Sequence, residues 1–445
     1  MIENAPAKLV VPMVKNHQDA SSTSLRNFGS TLVAQVGILG LGTLTSILSA
    51  RLLGPRGRGE LAALTMWPSM LAFLAAMGLN QSIVFYTGQR RHGTSEIFTA
   101  ATVIGLAQSF CVILAGMLVV PLALRGYSPE VIHLGKVFLF FTPALMLAGY
   151  PGNILQGKLN LISFNALRAI TPLTFALGIV ILFFLKRAFL KDVVWIQILG
   201  LVLAFAGAYG VLLAKERLHF VVDGQAFKNL LSYGWKSQLS SVTYYVNQRL
   251  DQLLLSIFVP PRELGLYVVA VTVSTALSFF PQASAMVTLA AGSNSAPDGA
   301  RAIIARSFRS SLLWLIGGCS VFFVIAPWLI PFAFGASFKG SIIACRILLP
   351  GTVAMGLNQV LYDGARSMGH PALPSYAEGL AMVLTGGGLY LLLPRFGFVG
   401  AAIASTAAYS ASLLLMIILC RARLGIGALQ LLRSPRDLSL QTHLD

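Results

Sequence analysis

One largely apolar stretch, residues 227–259, carries side chains that could bind ions. Lys236, Asn247, Arg249 and Asp251 lie in it among Leu, Val, Ile and Tyr. An ionisable group at the centre of a membrane helix costs about 2.5–3.5 kcal/mol on insertion scales, so such groups are kept out of lipid and usually serve a function. Polar residues cover most of the helix surface, which predicts contact with neighbouring helices or a water-filled cavity.

Arg249 and Asp251 are two residues apart, a spacing that does not bring side chains together on a helix. Each is therefore expected to find its partner on another element. The alternative interpretation is that these groups only hydrogen-bond between helices and hold the bundle together.

The ionisable residues inside the other predicted spans are candidates for lining the same cavity, and basic ones outnumber acidic ones, which favours an anionic ligand. Lys136, Arg168 and Arg346 lie near helix ends, where long side chains can also reach the membrane surface. Asp363 and Arg366 are three residues apart and could form an ion pair within one helix. The full set is Lys136, Arg168, Lys236, Arg249, Asp251, Arg346, Asp363 and Glu378.

Composition identifies an integral membrane protein and excludes several other classes. The 445 residues are 56% hydrophobic and 11% charged, with a mean hydropathy of +0.77. The four cysteines lie in apolar stretches without CxxC spacing, which argues against a disulfide or metal site. The sequence contains no GxxxxGK[ST] phosphate loop, so an ATP-driven pump is not indicated. The net charge of +17 is attributed to basic loops and anionic lipid, not to nucleic-acid binding.

About 20 apolar residues are needed per crossing, and the pattern predicts an all-α protein with twelve transmembrane helices. Lys and Arg are more numerous on the side of the N-terminus, which places both termini in the cytoplasm. The basic loops at 51–58 and 186–191 are exceptions on the other side. The predicted organisation is an N-terminal tail 1–24, an N-lobe 25–214, a linker 215–228, a C-lobe 229–420 and a C-terminal tail 421–445.

An internal repeat relates the two halves. Pro143, Gly149 and Gly157 recur as Pro350, Gly356 and Gly364 at one offset, and Pro55, Arg56 and Gly59 recur as Pro261, Arg262 and Gly265 at nearly the same offset. Six helices in each half would give a parallel repeat about an axis along the membrane normal. Repeats of this kind place the substrate between the halves, near the membrane midplane.

Several segments resemble a known family. The run from Ala50 to Leu61, followed by Trp67-Pro68-Ser69 and Gly78-Leu79-Asn80-Gln81, is similar to the first two helices of Wzx-type polysaccharide flippases of the multidrug/oligosaccharidyl-lipid/polysaccharide exporter superfamily. The segments 346–351 and 369–371 resemble the matching region of the second half. The similarity in pattern spans nearly the whole chain, but its motifs are structural and do not identify the glycan.

The resemblance implies a transporter, not an enzyme, that moves undecaprenyl-diphosphate-linked oligosaccharide across the bacterial inner membrane by alternating access. It implies substrate contacts from Arg249, Lys236 and Arg346, and sites for a coupling Na⁺ or H⁺ at Asp251, Asn247, Asp363 and Glu378. Expected partners are the lipid-linked sugar diphosphate, membrane lipids and other polysaccharide assembly proteins.

Two other functions remain open from the residues. A multidrug or metabolite antiporter of the same superfamily would be expected to show an acid-dominated cavity. A membrane glycosyltransferase or polymerase would need a substantial catalytic loop outside the membrane, and no predicted loop is long enough.

Overall fold

The structure, a computed structural model, describes residues 17–432, with side chains for 34–238 and 242–432. The described part of the chain is helical and contains no β-strand. The predicted tails 1–24 and 421–445 fall partly outside it. Where the second tail is described, the chain continues as helix to Leu424 and forms a last short helix at Ala428–Leu432.

Fifteen α-helices follow one another in residues 17–432, with short 3₁₀ turns at Ala276–Ser278 and Ala336–Phe338. They are α1 His17–Ala75, α2 Leu79–Gln89, α3 Thr94–Ala123, α4 Pro129–Phe140, α5 Thr142–Leu147, α6 Gly149–Gly157, α7 Leu161–Phe184, α8 Leu190–Lys215, α9 Gly224–Phe258, α10 Pro261–Thr275, α11 Phe279–Ser293, α12 Pro297–Phe334, α13 Ser341–Ser367, α14 Ala372–Leu424 and α15 Ala428–Leu432.

The two longest helices, α1 and α14, each fold back on themselves at a glycine. Gly54 has φ +65°, and Arg58 Nη2 donates a hydrogen bond to Ser46 Oγ at 3.2 Å, although a straight helix would separate residues 12 apart by about 18 Å. Gly397 has φ +54°, and a Cβ on Gly388 would lie 2.9 Å from the Cβ of Ala404. Both breaks use the left-handed region that glycine enters without steric cost.

Eight helices, or nine if the bent pair Pro129–Phe140 and Thr142–Gly157 is one span, are long and apolar enough to cross a membrane in the described part of the chain. The prediction of an all-α membrane protein is confirmed. The number of twelve crossings stays a prediction. Helices α1 and α14 each double back, and α9 is too polar to count as an apolar span.

The two halves contact each other through residues that the internal repeat relates to one another. A Cβ on Gly59 would lie 1.8 Å from the carbonyl oxygen of Pro261, and a Cβ on Gly265 would lie 1.9 Å from the carbonyl oxygen of Pro55. The repeat relates Gly59 to Gly265 and Pro55 to Pro261, so the two contacts are equivalent, as expected for halves related by an approximate two-fold axis. Only glycine lets two backbones approach this closely.

Further contacts close the same end of the molecule. The Arg51 guanidinium donates to the carbonyl oxygens of Phe332 and Ala333, which lie in the last turn of α12. Trp67 Nε1 donates to Ser256 Oγ at 3.0 Å. The halves are therefore joined at the end where α1 turns at Gly54.

Helix α9 does not belong to the C-terminal half along its whole length. Its first turns bury Ala226 and Leu230 in one apolar cluster with Leu79, Ile83 and Ile97 of the N-terminal half. The close approach of α9 to the start of α2 at Gly78 and Gly234, where a Cβ on Gly78 would lie 2.1 Å from the Gly234 carbonyl oxygen, completes this packing. The helix-free connector before α9 is 216–223, within the predicted linker 215–228.

Candidate functional site

A cavity of about 770 Å³ lies between the two halves. The first arm of α1 contributes Leu39, Thr43 and Ser46, and α9 contributes residues between Tyr244 and Gln252. Helices α10, α11, α13 and α14 supply the remaining wall. Side chains from both halves therefore line this cavity.

Two arginines of the cavity wall lack a carboxylate partner. Arg249 extends from α9, is exposed to the cavity, and forms no ion pair among the described residues. Arg58, from the second arm of α1, hydrogen-bonds Ser46, while its buried Nε has no hydrogen-bond partner in the described part of the chain. Each guanidinium therefore has donors left for an anion, and its planar fork suits phosphate oxygens.

Asp251 also lines the cavity, but its carboxylate is already hydrogen-bonded. Its Oδ2 accepts from Tyr267 Oη at 2.5 Å and from Ser405 Oγ at 3.1 Å, and its Oδ1 accepts from the backbone N–H of Gln252 at 2.7 Å. These donors come from α9, α10 and α14 and compensate the cost of burying the charge. The expectation that Asp251 finds its partners on other helices agrees with this geometry.

Asn247 and Glu378 form a second polar group inside the C-terminal half. Asn247 Nδ2 donates to Glu378 Oε2 at 2.8 Å, and Thr385 Oγ1 donates to Asn247 Oδ1 at 3.4 Å. All three side chains are buried, between α9 and α14. Glu378 has no ion pair among the described residues, and the hydrogen bond from Asn247 compensates part of the cost of burying its carboxylate.

Asp363 lines the cavity and pairs with Arg366 on its own helix, at 2.9 Å from Asp363 Oδ1 to Arg366 Nη1. This is the intrahelical ion pair that the spacing allowed. Its charge is largely balanced within α13.

The structure does not bring Lys236 and Arg346 to the cavity. Lys236 is exposed on α9 and lies outside the cavity wall. Arg346 Nε donates to the Phe323 carbonyl oxygen at 3.0 Å, with the guanidinium 4.8 Å from the centre of the Phe323 ring. Pro327 lies four residues after Phe323 and has no N–H to donate, so Arg346 satisfies a carbonyl that the proline leaves free.

A smaller side pocket of about 280 Å³ opens beside the main cavity. The two share Arg58, Arg249, Gln252 and Val268, so the arginines stand at their junction. The rest of the side pocket is lined by Ala62, Thr65, Met66, Ser69, Met70, Gln197 and Tyr245.

Sequence reasoning missed Arg58, which it placed in a basic loop outside the membrane. The break at Gly54 ends one helix arm and starts the next at once, so Arg58 lies one turn inside the second arm. The basic segment 51–58 lay on the side of the membrane where Lys and Arg are otherwise fewer. This exception was the signal in the sequence that one of its arginines serves in the cavity instead of in a loop.

A group of possible metal ligands lies apart from both cavities. His92 Nδ1 is 3.5 Å from Glu96 Oε2 and 3.2 Å from Asp223 Oδ2. Both carboxylates already accept backbone N–H groups, Glu96 from Gly93 and Asp223 from Gln225 and Ala226 at the start of α9. We read the group as a hydrogen-bonded link between α3 and the connector.

The fold is similar to solved transporters. An inward-facing multidrug resistance MATE family transporter of the MOP superfamily is 14% identical, with a TM-score of 0.72 over 88% of this chain and 98% of that chain. The lipid II flippase MurJ, in an inward closed conformation, is 16% identical, with a TM-score of 0.71 over 87% and 86%. A MOP superfamily transporter from Pyrococcus furiosus is 13% identical, with a TM-score of 0.64 over 90% and 95%. No curated protein sequence matches the chain.

Two helical halves around a charged cavity form a multi-pass membrane protein whose fold is that of the solved MOP superfamily transporters. A family model described as polysaccharide biosynthesis protein matches residues 24–290, more than half of the chain. The chain belongs to this polysaccharide biosynthesis protein family, and the predicted resemblance to Wzx-type flippases is confirmed.

Proposed function

We propose that this protein is an alternating-access flippase that moves undecaprenyl-diphosphate-linked oligosaccharide across the bacterial inner membrane for surface polysaccharide synthesis. The observation that carries the proposal is the pair Arg58 and Arg249, which face one cavity and have no carboxylate partner among the described residues. A diphosphate supplies the charge and the paired oxygens that two guanidinium groups bind best. The family membership and the lipid II flippase among the similar structures support a lipid-linked substrate.

In this proposal the sugar and diphosphate occupy the cavity while the polyprenyl tail stays in lipid. The halves then rock against each other, so that the contacts at the Gly54 end, which are closed in this structure, open in the other state. With both termini cytoplasmic, that end faces away from the cytoplasm. The proposed partners are the lipid-linked sugar diphosphate, the surrounding lipids and other polysaccharide assembly proteins.

A multidrug or metabolite cation antiporter is the second candidate. It would use free carboxylates in the cavity, yet Asp251 accepts three hydrogen bonds and Asp363 is paired with Arg366. The two unpaired arginines would also repel a cationic drug. We therefore propose a transporter for an anion, and not a membrane glycosyltransferase or polymerase, because the longest connector between the described helices is 216–223.

Reconstitution tests the proposed function. Purified protein in liposomes should speed the movement of fluorescent undecaprenyl-diphosphate-linked sugar between leaflets, measured by the access of a membrane-impermeant quencher. Liposomes without protein are the first control. Transport of ethidium against a Na⁺ or pH gradient, with no effect on the lipid-linked sugar, would contradict the flippase and support the antiporter.

We also propose that Na⁺ or H⁺ drives transport through the buried polar groups of the C-terminal half. Asp251, Asn247, Asp363 and Glu378 are the candidates. The geometry favours Glu378 with Asn247, since Asp363 is paired within its helix and Asp251 is hydrogen-bonded to three donors.

Replacing Glu378 by glutamine should remove the dependence of transport on the ion gradient, because the neutral amide can neither attract Na⁺ nor exchange a proton near neutral pH. The measurement is the transport rate in liposomes with and without a Na⁺ or pH gradient. Glu130→Gln, at an exposed position at the start of α4, is the matched control and should keep the wild-type response. An unchanged gradient response in Glu378→Gln would rule out this site.

A further inference from the structure

We propose that the side pocket binds the sugar residue next to the diphosphate, and that Gln197, Thr65 and Ser69 recognise it. This inference rests on the proposed function and adds to it a subsite of defined chemistry. The pocket adjoins both Arg58 and Arg249, so a group that enters it is attached to, or directly beside, whatever anion the arginines bind.

The volume of the side pocket fits one small unit. Pockets for drug-sized ligands measure about 300–1,000 Å³, whereas this one measures about 280 Å³. A single sugar ring fits such a space and a longer oligosaccharide does not. The remaining sugars of the chain would occupy the main cavity of about 770 Å³.

Three polar groups of the side pocket, those of Thr65, Ser69 and Gln197, can accept hydrogen bonds from a ligand. Thr65 Oγ1 donates its one hydrogen to the Leu61 carbonyl oxygen at 2.8 Å, and Ser69 Oγ donates its own to the Thr65 carbonyl oxygen at 2.8 Å. Both hydroxyl oxygens are left with free lone pairs. Gln197 Oε1 is buried without a hydrogen-bond partner among the described residues. A buried acceptor without a partner is costly, and a ligand hydroxyl would remove that cost.

The rest of the pocket wall is apolar and suits the apolar face of a sugar ring better than a charged group. The Tyr245 ring is held in place by stacking on Phe73, with ring centres 3.8 Å apart. Met66 and Met70 add adaptable apolar surface. Among the lining residues in the described part of the chain there is no Asp or Glu, so a cationic group would find only arginines. A neutral, hydroxyl-rich ring is the chemistry that fits.

Binding to purified protein in detergent tests the subsite. The probes are undecaprenyl diphosphate and undecaprenyl diphosphate carrying one glucose, one galactose or one N-acetylglucosamine. At least one sugar-bearing lipid should bind the wild type more tightly than the bare lipid. Gln197→Leu should weaken that binding roughly threefold to tenfold, the effect of one lost hydrogen bond, and leave the bare lipid unchanged.

Gln89→Leu is the matched control, since Gln89 is an exposed residue at the end of α2 that lines neither the main cavity nor the side pocket. It should leave the preference for the sugar-bearing lipid intact. If the wild type binds bare and sugar-bearing lipids equally, or if Gln197→Leu weakens both equally, the sugar subsite is overturned while the flippase stands. If the wild type binds none of these lipids, the proposed function itself has failed.

Discussion

Replacing Arg249 by alanine should abolish glycan export in a flippase-deficient strain while the variant reaches the membrane at the wild-type level. Arg249 projects into the cavity and forms no ion pair among the described residues, so its loss removes charge–phosphate hydrogen bonds and little internal packing. Hydrogen bonds to charged groups contribute about 1.5–3 kcal/mol, which corresponds to roughly a tenfold to hundredfold loss of affinity. Surface glycan on gels and protein level by immunoblot are the measurements.

Arg346→Ala is the matched control, because Arg346 lies in the same half but donates to a carbonyl of α12 outside the cavity. This variant should keep substrate binding, although it costs the Phe323 carbonyl its partner. Arg249→Lys should restore only part of the export, since an ammonium lacks the planar fork that binds two phosphate oxygens. Normal export by Arg249→Ala would contradict a role in substrate binding.

Replacing Gly59 by alanine should strongly destabilise the contact between the halves. The added methyl carbon would lie 1.8 Å from the Pro261 carbonyl oxygen and 2.8 Å from the backbone nitrogen of Gly265. Backbone cannot rotate away as a side chain can, so the helices must separate, at a cost of about 1–3 kcal/mol or more. The melting temperature of the protein in detergent, followed by size-exclusion chromatography after heating, should fall.

The repeat supplies an internal check, since Gly265→Ala meets the Pro55 carbonyl oxygen at 1.9 Å and should have a similar effect. Gly386→Ala is the control for a glycine in a helix, because no atom outside its own helix lies within 4 Å of the added carbon. It should be neutral or slightly stabilising, as alanine favours the helix. Equal melting temperatures for all three variants would show that the crossing is not close-packed.

The polar helix α9 and its buried side chains could be predicted from the sequence, because polar and charged residues in an otherwise apolar membrane stretch must be kept out of lipid. Asn247 and Asp251 are buried in α9, as expected for polar side chains in an apolar stretch. The equivalent glycines at 59 and 265 were visible as a repeat, but that they lie at the contact between the halves is known from the structure. The partners of Asp251 are Tyr267 on the next helix and Ser405 on α14, and they could not be inferred from local spacing.

The positions of the basic residues were harder to predict, because a charge count does not say which way a helix faces. Arg346 was a plausible cavity residue until the structure showed it donating to a carbonyl that Pro327 leaves free. Arg58 was assigned to a loop because a turn made by one glycine leaves almost no loop to detect. In both cases backbone geometry at a proline or glycine decided where the guanidinium lies.

The first turns of α9 pack against the N-terminal half. The part of the chain that packs as one unit therefore extends beyond the predicted first repeat. A gene divided within the connector 216–223 would give an N-terminal fragment whose Leu79, Ile83 and Ile97 lose the cover of Ala226 and Leu230. The two fragments should then be recovered together when co-expressed and be degraded when expressed singly. The start of α9 therefore completes the apolar core of the N-terminal half, although the predicted repeat assigns most of this helix to the C-terminal half.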